Sequence, residues 1–236
     1  MQEVDTIRQN LAAVRARLEQ AARAAGRNPD AVRLLAVSKT FSIEHVRAAA
    51  EAGQTEFGEN RVQDGLQKID ASTELGLRWH LIGHLQSNKA RRAAGAFAVI
   101  QSVDSLDLVR RLDDGAVQLG TRPEILVQVD LAREATKHGA PPDEARRIVD
   151  AALACRAVRL KGLMLLPPWL EDPERVRPYF ARLRDFRDEL VAGGADASAL
   201  AELSMGMSHD FEVAIQEGAT MVRVGTAIFG RRATHV

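Results

Sequence analysis

A lysine that directly follows a short apolar run is the first residue with an evident chemical use. The run at 34–38 has the composition of a buried strand, and Lys39 comes next. Apolar surroundings disfavour a charged amine, and a neutral lysine amine is a nucleophile toward aldehydes. The position therefore suits a Schiff base, although a solvated lysine at the end of a strand has the same pattern.

Two glycine-containing segments near the C-terminus have the composition of phosphate-binding turns. One is Ser204-Met205-Gly206-Met207-Ser208, and the other leaves a predicted strand at Gly225 and Thr226. Small residues let backbone N–H groups approach phosphate oxygens, and the hydroxyls of Ser204 and Thr226 add donors. Either segment alone is equally an ordinary turn. Together with the lysine, the two favour a phosphorylated aldehyde as the ligand.

Two further polar residues are placed at predicted strands. Asn60 offers an amide that can hydrogen-bond a phenolic or carbonyl oxygen. Arg223 is permanently protonated, and beside a pyridine nitrogen it would keep that nitrogen unprotonated. An unprotonated ring withdraws electrons poorly, which suits holding a cofactor or mild racemisation better than strong carbanion chemistry.

The elements that must position these residues are short apolar runs that alternate with helical patterns along the chain. Strands are predicted at 34–38, 55–58, 79–83, 99–103, 125–129, 160–165, 201–204 and 221–224. An α/β fold of the TIM-type (β/α)8 barrel has this alternation, and its functional residues lie at the C-terminal ends of the strands. A doubly wound sheet alternates in the same way, but no Gly-x-Gly-x-x-Gly follows the first strand.

The N-terminal segment is predicted to form an extra helix outside the barrel. Val4, Ile7, Leu11, Val14 and Leu18 recur at three- and four-residue steps, as on one face of an amphipathic helix. We expect this face to cover the protein's own core. No Pro- or Ser-rich linker interrupts the chain, so residues 1–236 are predicted to form a single domain.

The composition argues against several classes of function. The 236 residues include 32 basic and 32 acidic ones, so no net field attracts nucleic acid or an anionic membrane. No segment is apolar enough to span a bilayer. The single cysteine, Cys155, is predicted to be a buried structural thiol, which fits a reducing, cytoplasmic location.

A metal site is not expected from the sequence. His80 and His84 are four residues apart, a spacing that two zinc ligands adopt on one helix. The segment 79–83 is predicted as a strand, however, and no third ligand stands at a helical interval.

Six segments in order resemble the pyridoxal phosphate homeostasis proteins of the YggS/PROSC type. The similarity runs from about residue 34 to residue 231. The segments are Leu35-Ala36-Val37-Ser38-Lys39-Thr40, Gly58-Glu59-Asn60, Trp79-His80-Leu81-Ile82-Gly83-His84-Leu85-Gln86-Ser87-Asn88-Lys89, Lys161-Gly162-Leu163-Met164, Leu203-Ser204-Met205-Gly206-Met207-Ser208 and Met221-Val222-Arg223-Val224-Gly225-Thr226-Ala227-Ile228-Phe229-Gly230.

The resemblance implies a barrel like the N-terminal domain of alanine racemase, without that enzyme's second domain, and pyridoxal 5'-phosphate (PLP) as the cofactor. Lys39 is then expected to hold PLP as a Schiff base. Asn60 is expected near the ring oxygen of the cofactor, and Arg223 near its pyridine nitrogen. The residues expected at the phosphate are Ser204, Gly225 and Thr226.

The function that the resemblance implies is a non-catalytic carrier in intracellular vitamin B6 homeostasis and amino-acid balance. Apo forms of PLP-dependent enzymes would be the recipients, and the carrier would be a monomer or weak dimer. Weak racemase activity stays open, but racemisation by two bases needs a second acid/base, often tyrosine. The single tyrosine, Tyr179, is predicted outside the barrel. A Schiff-base aldolase is a third hypothesis, which leaves Arg223 without a task.

Three features depart from the usual family pattern. They are the segment 130–139, His209 in place of a common acidic residue, and Pro167-Pro168-Trp169-Leu170. We expect these departures to affect the mouth of the site rather than the cofactor.

Overall fold

The computed structural model describes residues 2–132 and 138–230, and a closed barrel of eight parallel strands forms its centre. Strands that are neighbours in the barrel are also neighbours in the chain, and the last pairs with the first. The fold is therefore the predicted TIM-type barrel, and an open doubly wound sheet is excluded. The strands are β1 (Arg33–Val37), β2 (Glu56–Glu59), β3 (Arg78–Leu81), β4 (Val99–Val103), β5 (Glu124–Val129), β6 (Arg159–Leu165), β7 (Glu202–Met207) and β8 (Met221–Val224).

The seventh strand was predicted wrongly at its C-terminal end. The prediction stopped it at Ser204, whereas β7 continues to Met207. Its register with β8 shifts between these two residues, and Gly206 has a φ of 92°. A Cβ atom at Gly206 would lie 2.6 Å from that of Ala214, so only glycine fits against the following helix. Ser204 consequently lies inside the strand and not at its end.

Helices follow the strands and cover the outside of the barrel. Ser42 is the N-cap residue of the second helix, and its hydroxyl contacts Nδ1 of His45 at 2.9 Å instead of a backbone amide. None of the described helices is long and apolar enough to cross a membrane. The helices are α1 (Gln2–Ala24), α2 (Ile43–Glu51), α3 (Val62–Asp70), α4 (Ala90–Ala96), α5 (Leu106–Leu119), α6 (Pro142–Leu153), α7 (Arg177–Ala192), α8 (Phe211–Gln216) and α9 (Thr226–Phe229).

The N-terminal helix α1 packs its apolar face onto the barrel, as the sequence predicts. Ile7, Leu11, Val14 and Leu18 are buried in the main core. Polar contacts fix the helix further, because Asn10 Nδ2 donates a hydrogen bond to the carbonyl of Ile228 at 3.0 Å. The helix therefore supports α9, which leads away from β8.

The single cysteine has the environment of a structural thiol. Cys155 is half-buried just beyond α6, and its Sγ lies 3.4 Å from the carbonyl oxygen of Ala151. Burial, together with the nearby carboxylate of Asp113, raises the pKa of the thiol to about 11. At neutral pH the thiol is thus almost entirely protonated, which makes it a poor nucleophile.

Candidate functional site

A cavity of about 950 Å³ opens at the C-terminal ends of the barrel strands, where functional residues of such barrels lie. Five of the residues predicted from the sequence line it, and Ser204 does not. Four exposed ring side chains of the lining, His84, His138, Trp169 and His209, are called the rim below. The full lining is Val37, Lys39, Asn60, Ile82, Gly83, His84, Gln128, His138, Leu166, Pro167, Trp169, Met207, Ser208, His209, Asp210, Arg223, Gly225, Thr226 and Ala227.

Lys39 lies in a tight turn directly after β1. The amide of Phe41 donates to the carbonyl of Ser38 across this turn at 3.0 Å, and the Ser38 amide donates to Gly58 on β2 at 3.1 Å. Thr40 has a φ of 71°, a conformation that β-branched residues seldom adopt. Such a backbone persists only where its surroundings fix it. The turn therefore determines where Lys39 leaves the strand.

A buried ion pair lies beside this turn. Glu59 is fully buried, and its Oε1 accepts a hydrogen bond from Ser38 Oγ at 2.7 Å. The same oxygen pairs with Lys68 Nζ, which also donates to the Ser38 carbonyl at 2.7 Å. Removing one member of such a pair typically costs about 3–5 kcal/mol. This support was not predicted, although a glutamate inside a buried strand signals that a cation lies nearby.

Asn60 follows β2 and faces the same cavity as Lys39. Its backbone packs tightly against Gly83, where an added Cβ would lie 2.2 Å from the carbonyl oxygen of Asn60. Ser102 Oγ in turn donates to the Gly83 carbonyl at 2.7 Å. The close approach requires glycine after β3, and it fixes both Asn60 and the chain that leads to His84.

Arg223 projects from β8 and is only 3% exposed. Its Nη1 donates to Ser204 Oγ at 2.6 Å, and its Nη2 donates to the carbonyl of Leu165 at 2.7 Å. Burial lowers the pKa of the guanidinium to about 10, although the Asp210 carboxylate opposes this shift. The group is still protonated at neutral pH, so it can donate hydrogen bonds to a ligand but cannot accept one.

Ser204 links this arginine to a polar chain inside the barrel. Its hydroxyl donates to Gln101 Oε1 at 2.7 Å, and Gln101 Nε2 lies 2.9 Å from Nδ1 of His80. Nε2 of His80 lies 3.2 Å from a carboxylate oxygen of Glu56, the first residue of β2. Burial lowers the pKa of His80, and Glu56 opposes this. Arg223, Ser204, Gln101, His80 and Glu56 are called the interior network below.

Gly225 connects β8 to α9, and Thr226 is the first residue of α9. The amides of Gly225 and Ala227 donate to Ser208 Oγ at 3.2 and 3.4 Å. A Cβ at Gly225 would lie 3.1 Å from a carbonyl oxygen of β1, so this turn closely approaches the strand that leads to the lysine. Ser208 lines the cavity but was not predicted, whereas Ser204 was predicted and does not line it. The two serines flank the same glycine, and the sequence alone does not distinguish them.

Two departures from the family pattern contact each other at the rim. Nε2 of His209 lies 2.9 Å from the carbonyl oxygen of Glu171 and 3.2 Å from that of Leu170. The His209 ring also stacks on Trp169, with 5.8 Å between the ring centroids. The histidine and the Pro167–Leu170 segment are thus parts of one local arrangement.

The two histidines that are four residues apart have different environments. His80 is buried in the interior network, whereas His84 is exposed at the cavity. Next to His84 lie Asp104 and His138, which come from other loops. This grouping was not predicted, because its members are far apart in the sequence and do not stand at helical intervals.

Some predicted features lie elsewhere. Tyr179, the only tyrosine, lies on α7 and packs against the core, and it is not among the cavity residues. The middle of the divergent segment 130–139, namely 133–137, lies outside the described residues, as does Arg231 at the end of the resemblance.

Comparisons with known proteins place this barrel in a class. The chain matches the family "Alanine racemase, N-terminal domain" over residues 9–233. An alanine racemase from Clostridium difficile has a TM-score of 0.74 at 17% identity, covering 98% of this chain and 58% of that one, and supports the fold alone. The fold and the cavity thus define a barrel of the alanine racemase N-terminal type.

Within this class, the chain belongs to the pyridoxal phosphate homeostasis protein family. The member from Aquifex aeolicus is 42% identical over 224 residues, which cover 95% of this chain and 97% of that protein. The member from Pseudomonas aeruginosa is 43% identical over 230 residues and 97% of each chain. The structure of PipY from Synechococcus elongatus with PLP bound is 40% identical, with a TM-score of 0.85, and covers 95% of this chain and 100% of PipY.

Proposed function

We propose that this protein binds PLP in the cavity at the C-terminal ends of the strands and holds it as a Schiff base on Lys39. The observation that carries the proposal is that Lys39, Arg223 and the Gly225–Thr226 turn line one cavity of about 950 Å³. Its walls also include apolar side chains such as Val37 and Ile82, as expected for a cofactor site. The PLP-bound structure of PipY supports the same ligand.

Each residue has a chemical task in this proposal. PLP supplies an aldehyde, and the amine of Lys39 forms a C=N bond to its carbon with loss of one water. The amide of Asn60 binds the ring oxygen. Arg223 donates a hydrogen bond to the pyridine nitrogen, and because it is a cation it disfavours protonation of that nitrogen.

The phosphate is held by the turns after β7 and β8. The backbone amides of Gly225 and Ala227 already point at one oxygen, Ser208 Oγ, and are therefore close enough together to share an anion. The Thr226 hydroxyl adds a further donor. We assign the serine contact to Ser208 in preference to Ser204, because only Ser208 lines the cavity.

We further propose that the protein is a PLP carrier and not an enzyme. Arg223 would keep the pyridine nitrogen of PLP unprotonated, and an unprotonated ring is a poor electron sink for carbanion chemistry. Tyr179 packs outside the cavity, so it cannot serve as a second base opposite Lys39. The relatives that are 42% and 43% identical to this chain are named pyridoxal phosphate homeostasis proteins. The recipients would be apo PLP-dependent enzymes of the cytoplasm, served by a monomer or weak dimer.

The test is the absorption spectrum of the purified protein, followed by borohydride reduction and peptide mass mapping. We expect a yellow protein with a pyridoxyl group on Lys39. Lys39→Ala should abolish the reducible adduct, while Lys89→Ala, at an exposed lysine outside the cavity, should leave it unchanged. A colourless protein that takes up no added PLP would refute the proposal.

The enzyme alternatives have separate outcomes. Robust conversion of L- to D-alanine by the pure protein, lost in Lys39→Ala, would overturn the carrier assignment and leave the cofactor assignment intact. A protein that borohydride traps only in the presence of a sugar phosphate would instead be a Schiff-base aldolase.

A further inference from the structure

Three side chains with metal-ligating atoms meet at the rim of the cavity. His84 follows β3, Asp104 follows β4, and His138 lies between β5 and α6. One ligand atom from each lies within 4.8 Å of the other two. The three therefore converge although they are far apart in the sequence.

We propose that His84, Asp104 and His138 bind a divalent transition-metal ion of the Zn²⁺ type. Two imidazole nitrogens and one carboxylate oxygen form a common ligand set for zinc, which leaves a fourth position for water or a ligand. His84 and His138 both line the cavity, so the open position is accessible to a molecule inside it.

The arrangement is close to what a tetrahedral ion requires. Two ligand atoms that are each about 2.1 Å from such an ion lie about 3.4 Å apart. Nδ1 of His84 and Oδ2 of Asp104 are 3.7 Å apart. The rings of His84 and His138 stack with 3.7 Å between centroids and 9° between planes. Because an imidazole nitrogen binds a metal in the plane of its ring, one of the two parallel rings must turn out of this stack before a nitrogen of each faces a common ion.

Hydrogen bonds hold the backbone beside both histidines. Gly83, which precedes His84, accepts the bond from Ser102 Oγ at 2.7 Å. The carbonyl of His138 accepts a bond from Gln128 Nε2 at 2.6 Å, and Gln128 is buried on β5. Only side-chain rotation is then needed to form the site, and this costs less than ordering a loop.

A bound ion would join the segments that follow β3, β4 and β5 at the mouth of the cavity. We infer that it slows the escape of a molecule bound beneath it. This consequence rests on the proposed PLP function, whereas metal binding itself does not.

Metal binding is tested on tag-free protein from which PLP has been removed, with Co²⁺ as a spectroscopic probe and Zn²⁺ as its competitor. We expect one Co²⁺ per chain with visible d–d absorption, displaced by one equivalent of Zn²⁺. His84→Ala, Asp104→Asn and His138→Ala should each weaken binding by at least about 10- to 100-fold, the range seen even for residues that only support ligands. His209→Ala is the matched control, because this rim histidine is outside the cluster.

Three results would overturn the site: no stoichiometric binding, affinity unchanged in all three ligand variants, or equal loss in His209→Ala. Circular dichroism and thermal unfolding of each variant show whether it is folded. Because this measurement uses protein without PLP, its failure leaves the proposed function untouched.

The effect on retention is tested with PLP-loaded protein by following the transfer of PLP to an excess of an apo-enzyme. We expect Zn²⁺ to slow the transfer about fivefold or more, the lower end of typical coupling between two sites. PLP-loaded His138→Ala controls for chelation of the ion by the cofactor itself and should show no slowing. Equal rates with and without Zn²⁺ in the unsubstituted protein would refute the inferred effect on escape.

Discussion

Replacing Ser204 with alanine separates two roles that the sequence does not distinguish, a phosphate ligand and a member of the interior network. Its hydroxyl donates to Gln101 and accepts from Arg223. Alanine would leave an N–H of a buried guanidinium and a buried amide oxygen unpaired. A bond to a charged group contributes about 1.5–3 kcal/mol and a neutral one about 0.5–1.5 kcal/mol. We expect the free energy of unfolding of the PLP-free protein to fall by about 2–4 kcal/mol, which lowers Tm by roughly 4–16 °C for a chain of this size.

The assay compares thermal and urea unfolding of PLP-free Ser204→Ala, Ser208→Ala and Ser198→Ala, together with PLP titrations followed by absorption. Ser208→Ala should mainly weaken PLP binding, by roughly 10-fold for one lost phosphate contact, with a smaller loss of stability. Ser198 is exposed, and its substitution should change neither quantity by much. The reasoning fails if Ser204→Ala keeps its Tm and weakens PLP binding as strongly as Ser208→Ala does.

Three further perturbations test other parts of the site. Thr226→Val removes a hydroxyl donor to the phosphate and should weaken PLP binding by about 1.5–3 kcal/mol, or roughly 10- to 150-fold, in the same titration; an unchanged Kd would contradict the assignment. Gly83→Ala forces a Cβ to within 2.2 Å of the Asn60 carbonyl oxygen and should destabilise the protein by about 2 kcal/mol or more. Gly193→Ala, whose added Cβ would lie 3.3 Å from the Glu189 carbonyl oxygen and requires a shift of only a few tenths of an ångström, should cost much less in thermal unfolding. The pKa of His80 is lower in the folded protein than its value of about 6.5 in the unfolded chain. The unfolded chain therefore binds more protons, and the free energy of unfolding falls as the pH drops below about 6.5. The slope is at most about 1.4 kcal/mol per pH unit. His80→Gln should flatten this dependence between about pH 6.5 and 5.5 in urea unfolding, and an identical slope would show that His80 does not cause it.

The barrel could be predicted because each strand–helix unit is encoded locally. The apolar runs and the helical patterns between them mark eight units without any knowledge of which strands pair. Two strand ends were predicted wrongly, because β3 ends at Leu81 and not at 83, and β7 continues to Met207 and does not end at Ser204. The last residues of β7 depend on an irregular pairing with β8 and on the close packing of Gly206 against α8. Both are contacts between elements, and no pattern within 201–204 reports them.

The residues of the candidate site also divide into those whose position the local sequence predicts and those that depend on contacts between elements. Lys39, Asn60, Gly225 and Thr226 follow strands closely, so the barrel rule places them at one end of the molecule. The interior network could not be predicted, because it depends on which side chains of separate strands point inward at the same height. The approach of His138 to His84 is also non-local, since their loops follow different strands.

The supports of the cavity differ in how firmly the fold holds them. Beside Lys39, the buried pair of Glu59 and Lys68 fixes the turn, and on the neighbouring strand β8 the interior network fixes Arg223. Disturbing either one leaves buried charge without a partner, so substitutions there change stability as well as binding.

The rim is held by weaker contacts. Trp169 is 71% exposed, and its ring stacks on that of His209. The other contacts of the His209 ring are to backbone carbonyl oxygens at the surface. In the proposed carrier role PLP binds reversibly, and its release would depend on the mouth of the cavity as well as on the groups proposed to hold it. Two of the departures from the family pattern, His209 and the segment 167–170, contact each other at the rim, so substitutions there should change the proposed release of PLP more than its proposed attachment at Lys39.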